Sequence, residues 1–338
     1  MTIRTLAILG LLTLTYWSCG NQQGDKSTNF SSSIYDYIYE RESPTVIISG
    51  DLAHLFESGT VDEETGKENY HQAQLSISDG SSHKDITAKI AKRGVTRKRI
   101  CEFPPIKLKF NKDTLAQHQL SDFNTYKLVT HCIDSLEELV LKELLTYQMY
   151  NHLTDNSFRV KRLNVIYKDQ VTGTQSAHSG FIIEEDEELA YRLNAALYEG
   201  DIKSLDRKQY AQMVIFQYMI GNTDWNLTNG HNMKWIQQRD LPSPTPIPYD
   251  FDFCGLVNAP HASPHPNMPI KSVRERMLQW RGKTKTELVE IAEKFITEKE
   301  QLYKLIENTE GLSTDSKEDM KGFLEEFYTD ISSEEFFQ

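Results

Sequence analysis

Two short segments of the chain carry residue types that suit phosphoryl-transfer chemistry. The first runs Gly-Asn-Thr-Asp-Trp-Asn-Leu-Thr-Asn and places Asp224 five positions before Asn229. The second begins about twenty residues later, runs Tyr-Asp-Phe-Asp-Phe-Cys-Gly, and carries Asp250 and Asp252. In phosphoryl transfer one carboxylate orients or deprotonates the acceptor hydroxyl, while an amide and a second carboxylate hold Mg²⁺ on the nucleotide phosphates. The spacing therefore predicts Asp224 as the base and Asn229 and Asp250 as metal ligands.

The second segment favours this interpretation over a purely structural one. On its own, Asp224 is equally a turn-capping residue, and Asn229 followed by glycine is a common hairpin turn. Asp250 and Asp252, however, alternate onto one face of an otherwise apolar extended run. Burying two like charges together is unfavourable unless a cation binds them. We therefore expect Asp252 to be a second metal ligand or to support the first.

A nucleotide site also needs a cation on the phosphates, held by a carboxylate from a neighbouring helix. Lys107 and Lys109 lie on one face of the alternating run Ile-Lys-Leu-Lys-Phe, and Glu143 lies in a predicted amphipathic helix. We expect Lys107, which sits deeper in the strand, to pair with Glu143 and bind phosphate, with Lys109 as the alternative. Glu138 competes with Glu143. A solvated strand face and a surface glutamate would explain the same residues without a site.

Two further segments are candidates for contact with the nucleotide. Arg93 and Gly94 precede a basic run, residues 97–99; the glycine lets the backbone approach phosphates, and the arginines suit nucleotide or substrate. The apolar residues 181–183 lead into Glu184 and resemble a lobe-connecting strand that offers backbone groups to an adenine ring. A solvated turn and an acidic helix start are the simpler explanations of these two segments. The chain has no Gly-x-Gly-x-x-Gly lid.

Composition and cysteine content limit the class of protein. With 38% hydrophobic residues among 338, the chain can bury a core, and its net charge of -12 argues against a nucleic-acid partner. Cys101 and Cys132 flank one β-rich segment and could pair, which would leave Cys254 as a buried free thiol. Neither Cys-x-x-Cys nor paired-histidine spacing supports a metal site made from those residue types.

The N-terminus has the pattern of an export signal. Arg4 precedes an apolar run, residues 6–16, which is too short to span a bilayer as a mature helix. Cys19 follows a serine at the end of that run, as in a bacterial lipoprotein processing site, where it would be diacylated. We expect a signal peptide at 1–18 and a tether at 19–44, and a protein anchored by lipid in the periplasm or at the cell surface. Ordinary secretion with an incidental cysteine is the alternative.

Hydrophobic periodicity divides the remaining chain into a β-rich and a helical part. Residues 45–184 alternate in short runs and contain one long helix from about Ser135 to Leu153. Residues 185–338 are mainly helical, with helices expected at 187–197, 205–220, 273–281, 286–307 and 316–328. The proline-rich residues 241–248 are expected to form a rigid loop. This order predicts an α+β chain with a β-rich N-lobe and a mainly helical C-lobe, the bilobal layout of kinases.

Taken together, these motifs resemble the atypical kinases of the spore-coat CotH type, and the Asn-Thr-Asp…Asn arrangement is also similar to the HipA-type kinases. The resemblance covers roughly residues 45–300. It implies a protein-kinase-like fold that binds ATP and Mg²⁺ and phosphorylates Ser or Thr hydroxyls. It also implies Asp224 as the base, Asn229 and Asp250 as metal ligands, Lys107 or Lys109 on phosphate, and Glu143 as the lysine's partner.

The sequence therefore predicts an exported, lipid-anchored phosphotransferase that moves phosphate from ATP to a hydroxyl on protein or glycan. A kinase-like fold also accommodates AMP transfer and non-catalytic cell-surface binding, and both stay open. ATP is scarce outside the cytoplasm, which favours the binding alternative. The complete set of Asp224, Asn229 and Asp250 favours catalysis, because a scaffold has no need of a costly carboxylate cluster.

Overall fold

The computed structural model describes residues 32–61, 67–94, 97–200, 202 and 204–338. The predicted signal peptide, Cys19 and the first part of the tether lie outside these residues, so their roles stay predictions. The last part of the predicted tether is folded. Helix α1 (Ile34–Tyr39) begins with a capping box from Ser33, and Ile34 and Tyr35 are fully buried. These apolar side chains join the core of the adjacent sheet and fix the start of the folded chain there.

The alternating segments close into a barrel. Its strands are β1 (Thr45–Gly50), β2 (His71–Ser78), β3 (His83–Lys92), β4 (Ile106–Phe110), β5 (Thr125–Val129), β6 (Val160–Asp169) and β7 (Gln175–Ile183). They pair in the order β1-β2-β3-β4-β5-β7-β6, and β6 returns parallel to β1 to complete the ring. The short helices α2 (Leu52–Glu57), α3 (Arg97–Ile100) and α4 (Lys112–Gln117) connect neighbouring strands. Inward residues such as Leu75, Leu108 and Val165 fill the barrel.

A second core lies among the helices. It is built on α5 (Glu138–Leu153), α6 (Asp186–Arg192), α7 (Arg207–Met219), α8 (Val289–Asn308) and α9 (Thr314–Ile331). A small antiparallel sheet, β8 (Ala195–Leu197), β9 (Met233–Gln238) and β10 (Thr245–Pro248), lies beside them. Helix α5 also packs on the outside of β6 and β7. Because α5 touches both the barrel and the helices, it can carry a side chain to the junction between them.

The α+β class is confirmed, and most predicted elements occur close to their expected positions. The β-rich part is a closed barrel of seven described strands, which is not the usual arrangement of a bilobal protein kinase. No helix in the described ranges is long and apolar enough to cross a membrane.

Three of the predicted elements are wrong. The helix expected at 187–197 ends at Arg192, because Asn194 adopts a positive φ of 50° before β8. The proline-rich loop contains β10, in which prolines sit on an edge strand that needs few amide donors. Residues 273–281 are not helical; Arg274 and Arg276 lie over the ring of Phe323 and bind carboxylates on α9.

Candidate active site

Asp224 lies in a loop just after the buried helix α7, as the sequence predicts. Its backbone N–H donates to Asn222 Oδ1 at 2.9 Å. One carboxylate oxygen lies 3.0 Å from His231 Nε2, and the other accepts a hydrogen bond from Asn232 Nδ2 at 3.0 Å. The side chain is 40% exposed. These contacts hold the carboxylate in one orientation while leaving it open to solvent, which is what a base for an entering hydroxyl requires.

The second acidic segment lies directly beside this loop. Asn232 donates to the Asp224 backbone carbonyl at 2.8 Å, and its own carbonyl accepts from the Tyr249 N–H at 3.1 Å. Asp250 follows with a φ of 65°, a left-handed conformation that aspartate and asparagine tolerate better than most residues. Its N–H donates to Tyr147 Oη of α5 at 2.7 Å. One asparagine thus connects the two motifs across 26 residues of sequence, from 224 to 250.

Two glycines hold the same motifs together from behind. The Gly255 N–H donates to the Gly221 carbonyl at 3.1 Å, and the next residue, Leu256, bonds to Ile220 at 3.0 Å. A side chain at position 255 would meet the Phe323 ring at 2.7 Å and a backbone oxygen at 2.4 Å. A Cβ atom at position 221 would lie 2.8 Å from the same ring, and the backbone there has a positive φ of 63°. Both positions therefore require glycine for this close approach.

Three carboxylates gather at the junction, and we name Glu143, Asp250 and Asp252 the acidic cluster. Arg97 donates to Asp252 Oδ2 at 2.8 Å and to Glu143. The Glu143 and Asp252 side chains are only 1% and 10% exposed. In the described part of the chain no hydrogen-bond donor reaches the Asp250 carboxylate. The cluster has more negative charge than Arg97 alone can balance.

The pKa values reflect this excess of charge. Burial raises the pKa of Glu143 to about 7 despite the opposing attraction of Arg97, and the nearby Asp252 and Asp250 add to the rise. Burial also raises the pKa of Asp250, with Asp252 as the next cause and Arg93 opposing it. A group of oxygen ligands that is short of positive charge is the donor set that Mg²⁺ prefers. These residues offer the oxygen ligands that suit a divalent cation, but among the described residues the ligand atoms of these three carboxylates do not all lie within 4.8 Å of one another.

The predicted lysines are not at this site. In β4 the residues Ile106 and Leu108 point into the barrel, so Lys107 and Lys109 point outward. Lys107 pairs with Glu68, and Lys109 lies over the ring of Tyr70 at 5.4 Å. The predicted Lys107–Glu143 pair is wrong, because the partner of Glu143 is Arg97.

Lys127 on β5 is the lysine that sequence reasoning missed. Its Nζ is 3.2 Å from Asp186 Oδ1 and 4.7 Å from the centre of the Tyr249 ring, the residue before Asp250. Burial lowers its pKa, which Asp186 opposes and Arg93 reinforces. Lys127 lies in the last strand before α5, and this position in the chain is the feature of the sequence that could have indicated it. Arg93, a predicted nucleotide contact, acts electrostatically on both Lys127 and Asp250 and so belongs to this region.

Two other predicted site residues have different surroundings. Glu184 accepts hydrogen bonds from the side chains of Arg159 and Arg192 at 2.8–2.9 Å, with no exposed side-chain area. Its side chain holds the chain after β7 in place, and the predicted contact of this segment with an adenine ring through backbone groups stays a prediction. Asn229 is exposed, and its side-chain oxygen accepts the His231 N–H at 3.0 Å. The structure does not bring Asn229 to the acidic cluster.

A pocket of about 880 Å³ lies beside the Asp224 loop. Residues of that loop, including Asn229, form one wall. The remaining wall is aromatic and basic; among its members are Tyr198, Tyr210, Trp235, Arg207 and Arg281. Such a mixture of flat apolar rings and fixed polar groups is typical of a small-molecule or peptide site.

A disulfide joins Cys101 to Cys132, and Cys254 is buried as a free thiol, which confirms the expected pairing. The bond joins two cysteines that are 31 positions apart in the sequence. Cys101 directly follows α3, the helix that carries Arg97, and Cys132 lies in the turn before α5. The bond thus keeps Arg97 near Glu143.

Comparisons with known proteins add little to this description. No protein-family model matches the chain, and no curated protein matches it. Among solved structures, the proinflammatory kinase CtkA of Helicobacter pylori is similar over 71% of this chain and 92% of that one. The two are 10% identical in sequence and superpose with a TM-score of 0.39. A similarity at that level does not establish a function.

Proposed function

We propose that this chain is a nucleotide- and Mg²⁺-dependent phosphotransferase with a kinase-like site. The observation that supports it best is the joining of the two motifs. Asn232 holds Asp224 beside the segment that carries Asp250. Asp250 belongs in turn to the acidic cluster, whose negative charge exceeds the positive charge of Arg97.

Each residue has a distinct part in this proposal. Asp224 is exposed and oriented, so it would accept the proton of an acceptor hydroxyl. Asp250 and Asp252 would hold Mg²⁺, which, when bound, neutralises charge on the nucleotide phosphates. Lys127, near Tyr249 and carrying a lowered pKa, replaces Lys107 as the phosphate-binding lysine. Arg93 would add a second positive charge there.

The acceptor would enter from the pocket beside the Asp224 loop. The same short loop contributes both the oriented carboxylate and a wall of the pocket, so an acceptor bound there approaches the base from one side. The aromatic rings and arginines suit a glycan or a peptide that presents a hydroxyl.

A non-catalytic nucleotide-binding protein is the second candidate. Two observations favour it: Asn229 uses its side-chain oxygen on His231, and Arg97 already occupies both Glu143 and Asp252. In such a protein the cluster would bind a nucleotide or cation without transfer.

We also propose that the chain is exported and anchored by lipid on Cys19. The Cys101–Cys132 disulfide supports this, because structural disulfides persist in oxidising compartments and are rare in reducing ones.

Ligand-induced stabilisation tests the nucleotide site. With Mg²⁺ present and ATP at about 100 times its Kd, binding of ATP should stabilise the full chain by about 2.7 kcal/mol. Asp250→Asn should abolish the shift and Lys127→Met should weaken it. Lys107→Met, the matched change on the outer face of the barrel, should have no effect. Equal damage from both lysine changes, or a wild type indifferent to Mg²⁺, would contradict the site.

Label transfer separates the candidate reactions. With γ-labelled ATP and a generic protein acceptor, the wild type should transfer phosphate. Asp224→Asn should still be stabilised by ATP and Mg²⁺ but lose transfer. Stabilisation without transfer in the wild type selects the binding protein, and transfer of label only from α-labelled ATP selects AMP transfer.

A further inference from the structure

Two histidines from distant parts of the sequence meet at one end of the barrel. His131 follows β5, and His178 lies in β7, 47 positions later. Their rings are parallel within 12°, with centres 3.5 Å apart. The carboxylate of Asp134, in the turn before α5, lies 3.3 Å from His131 Nε2 and 3.8 Å from His178 Nε2. Within the described ranges this is the one group of three such residues whose ligand atoms all fall within 4.8 Å.

These separations suit ligands of one metal ion better than a hydrogen-bonded pair. A histidine–carboxylate hydrogen bond is shorter, as in the exposed His83–Asp85 pair at 2.8 Å. Two ligands about 2.0–2.1 Å from a tetrahedral Zn²⁺ lie roughly 3.3 Å from each other. The rings must open from parallel to bind one ion, since a metal lies in the plane of each imidazole that ligates it. His178 retains some exposed area for that movement.

The surroundings favour a bound cation as well. Asp134 is 82% exposed and gives an ion a path from solvent. Glu137 approaches the second ring nitrogen of His178 at 4.0 Å, where an outer carboxylate commonly orients a ligating histidine.

We propose that His131, Asp134 and His178 form a binding site for a divalent transition metal, for which Zn²⁺ is the reference ion. Two imidazoles and one carboxylate are the ligand set that suits such ions, with a fourth position open to solvent. The site is separate from the Mg²⁺ site and does not rest on the proposed phosphotransferase activity.

Its position gives it a structural consequence. His131 precedes Cys132 of the disulfide, and it borders a cavity of about 20 Å³ that Arg97 and Asp252 also line. A metal ion would fasten the turn between β5 and α5 to strand β7. It would therefore stabilise the segment that carries Glu143 toward the acidic cluster.

Zn²⁺ titration of the full chain, by calorimetry and by competition with a coloured chelator, tests the site. We expect one equivalent to bind and to raise the melting temperature. Asp134→Ala and His178→Ala should each weaken binding at least tenfold. The exposed Asp134 is the safer change, because its loss should leave the fold intact.

A second histidine contact supplies the matched control. His54 and His71 have ring centres 5.0 Å apart, without a third ligand among the described residues. His54→Ala should leave Zn²⁺ affinity unchanged. In the visible spectrum, Co²⁺ should show the intense bands of four-coordination in wild type and lose them in Asp134→Ala. Zn²⁺ binding that survives Asp134→Ala and His178→Ala at full affinity would overturn the proposal.

Discussion

Glu184 and the acidic cluster both bury carboxylate groups, and the partners of these groups differ. Glu184 receives hydrogen bonds from two arginine side chains and one backbone N–H, so its charge is fully matched. In the acidic cluster, Arg97 donates hydrogen bonds to Glu143 and Asp252 only, and Asp250 receives none from the described residues. The first arrangement stabilises the fold, whereas the second is relieved only when protons or a cation arrive. The balance of charge thus distinguishes Glu184, a structural carboxylate, from the candidate catalytic carboxylates of the acidic cluster.

Removing the matched carboxylate should have the largest effect. Glu184→Ala leaves Arg159 and Arg192 without their shared partner, and we expect it to destabilise the protein by about 3–5 kcal/mol in urea unfolding. Asp122→Ala, which breaks the exposed pair with Lys112, should cost less than about 1 kcal/mol. A loss below 1 kcal/mol at Glu184 would remove the distinction between the two places.

The unmatched cluster should show itself in the pH dependence of stability. Because the pKa of folded Glu143 is about 7, above its ordinary 4.5, the folded chain holds this proton more tightly than the unfolded chain. Its stabilising contribution is complete below pH 4.5 and is lost as the pH rises through 7. Glu143→Gln imitates the protonated form. Without metal it should gain roughly 3 kcal/mol over wild type between pH 5 and 8. A constant difference across that range would contradict the prediction.

The smallest expected effect has the opposite sign from the first. Asp250→Asn keeps the side-chain shape and suits the left-handed backbone, while it removes one charge from the cluster. Without metal, we expect the variant to be more stable than wild type by about 1 kcal/mol. Paired denaturation curves in a chelating buffer measure this. A destabilised variant would mean that the Asp250 charge is already matched.

The sequence indicated the acidic residues of the candidate site better than the lysine that lies near them. Asp224, Asp250 and Asp252 follow from residue type and spacing, and the strand at 106–110 is found where alternation places it. Alternation reveals two faces of a strand but not which face meets another part of the protein. Because of that ambiguity, the sequence predicted Lys107, which lies on the outer face of the barrel, and not Lys127.

Long-range contacts were the other limit. Arg97 reaches Glu143 across 46 positions, and His131 meets His178 across 47. Neither spacing has a local signature, so the sequence argued against a histidine metal site that the fold makes possible. Gln237 and Gln238 of β9 likewise gave no strand signal, although pairing with β8 places them in a sheet.

Phe323 of α9 supports the candidate active site, although it lies far from both motifs in the sequence. Its ring contacts the two glycines behind the paired motifs and is itself covered by Arg274 and Arg276. A fragment that ended before Thr314 would retain every acidic residue named above, yet lose the surface against which both motif loops are aligned. The packing of helix α9 therefore determines how closely the loops that carry Asp224 and Asp250 can lie to each other.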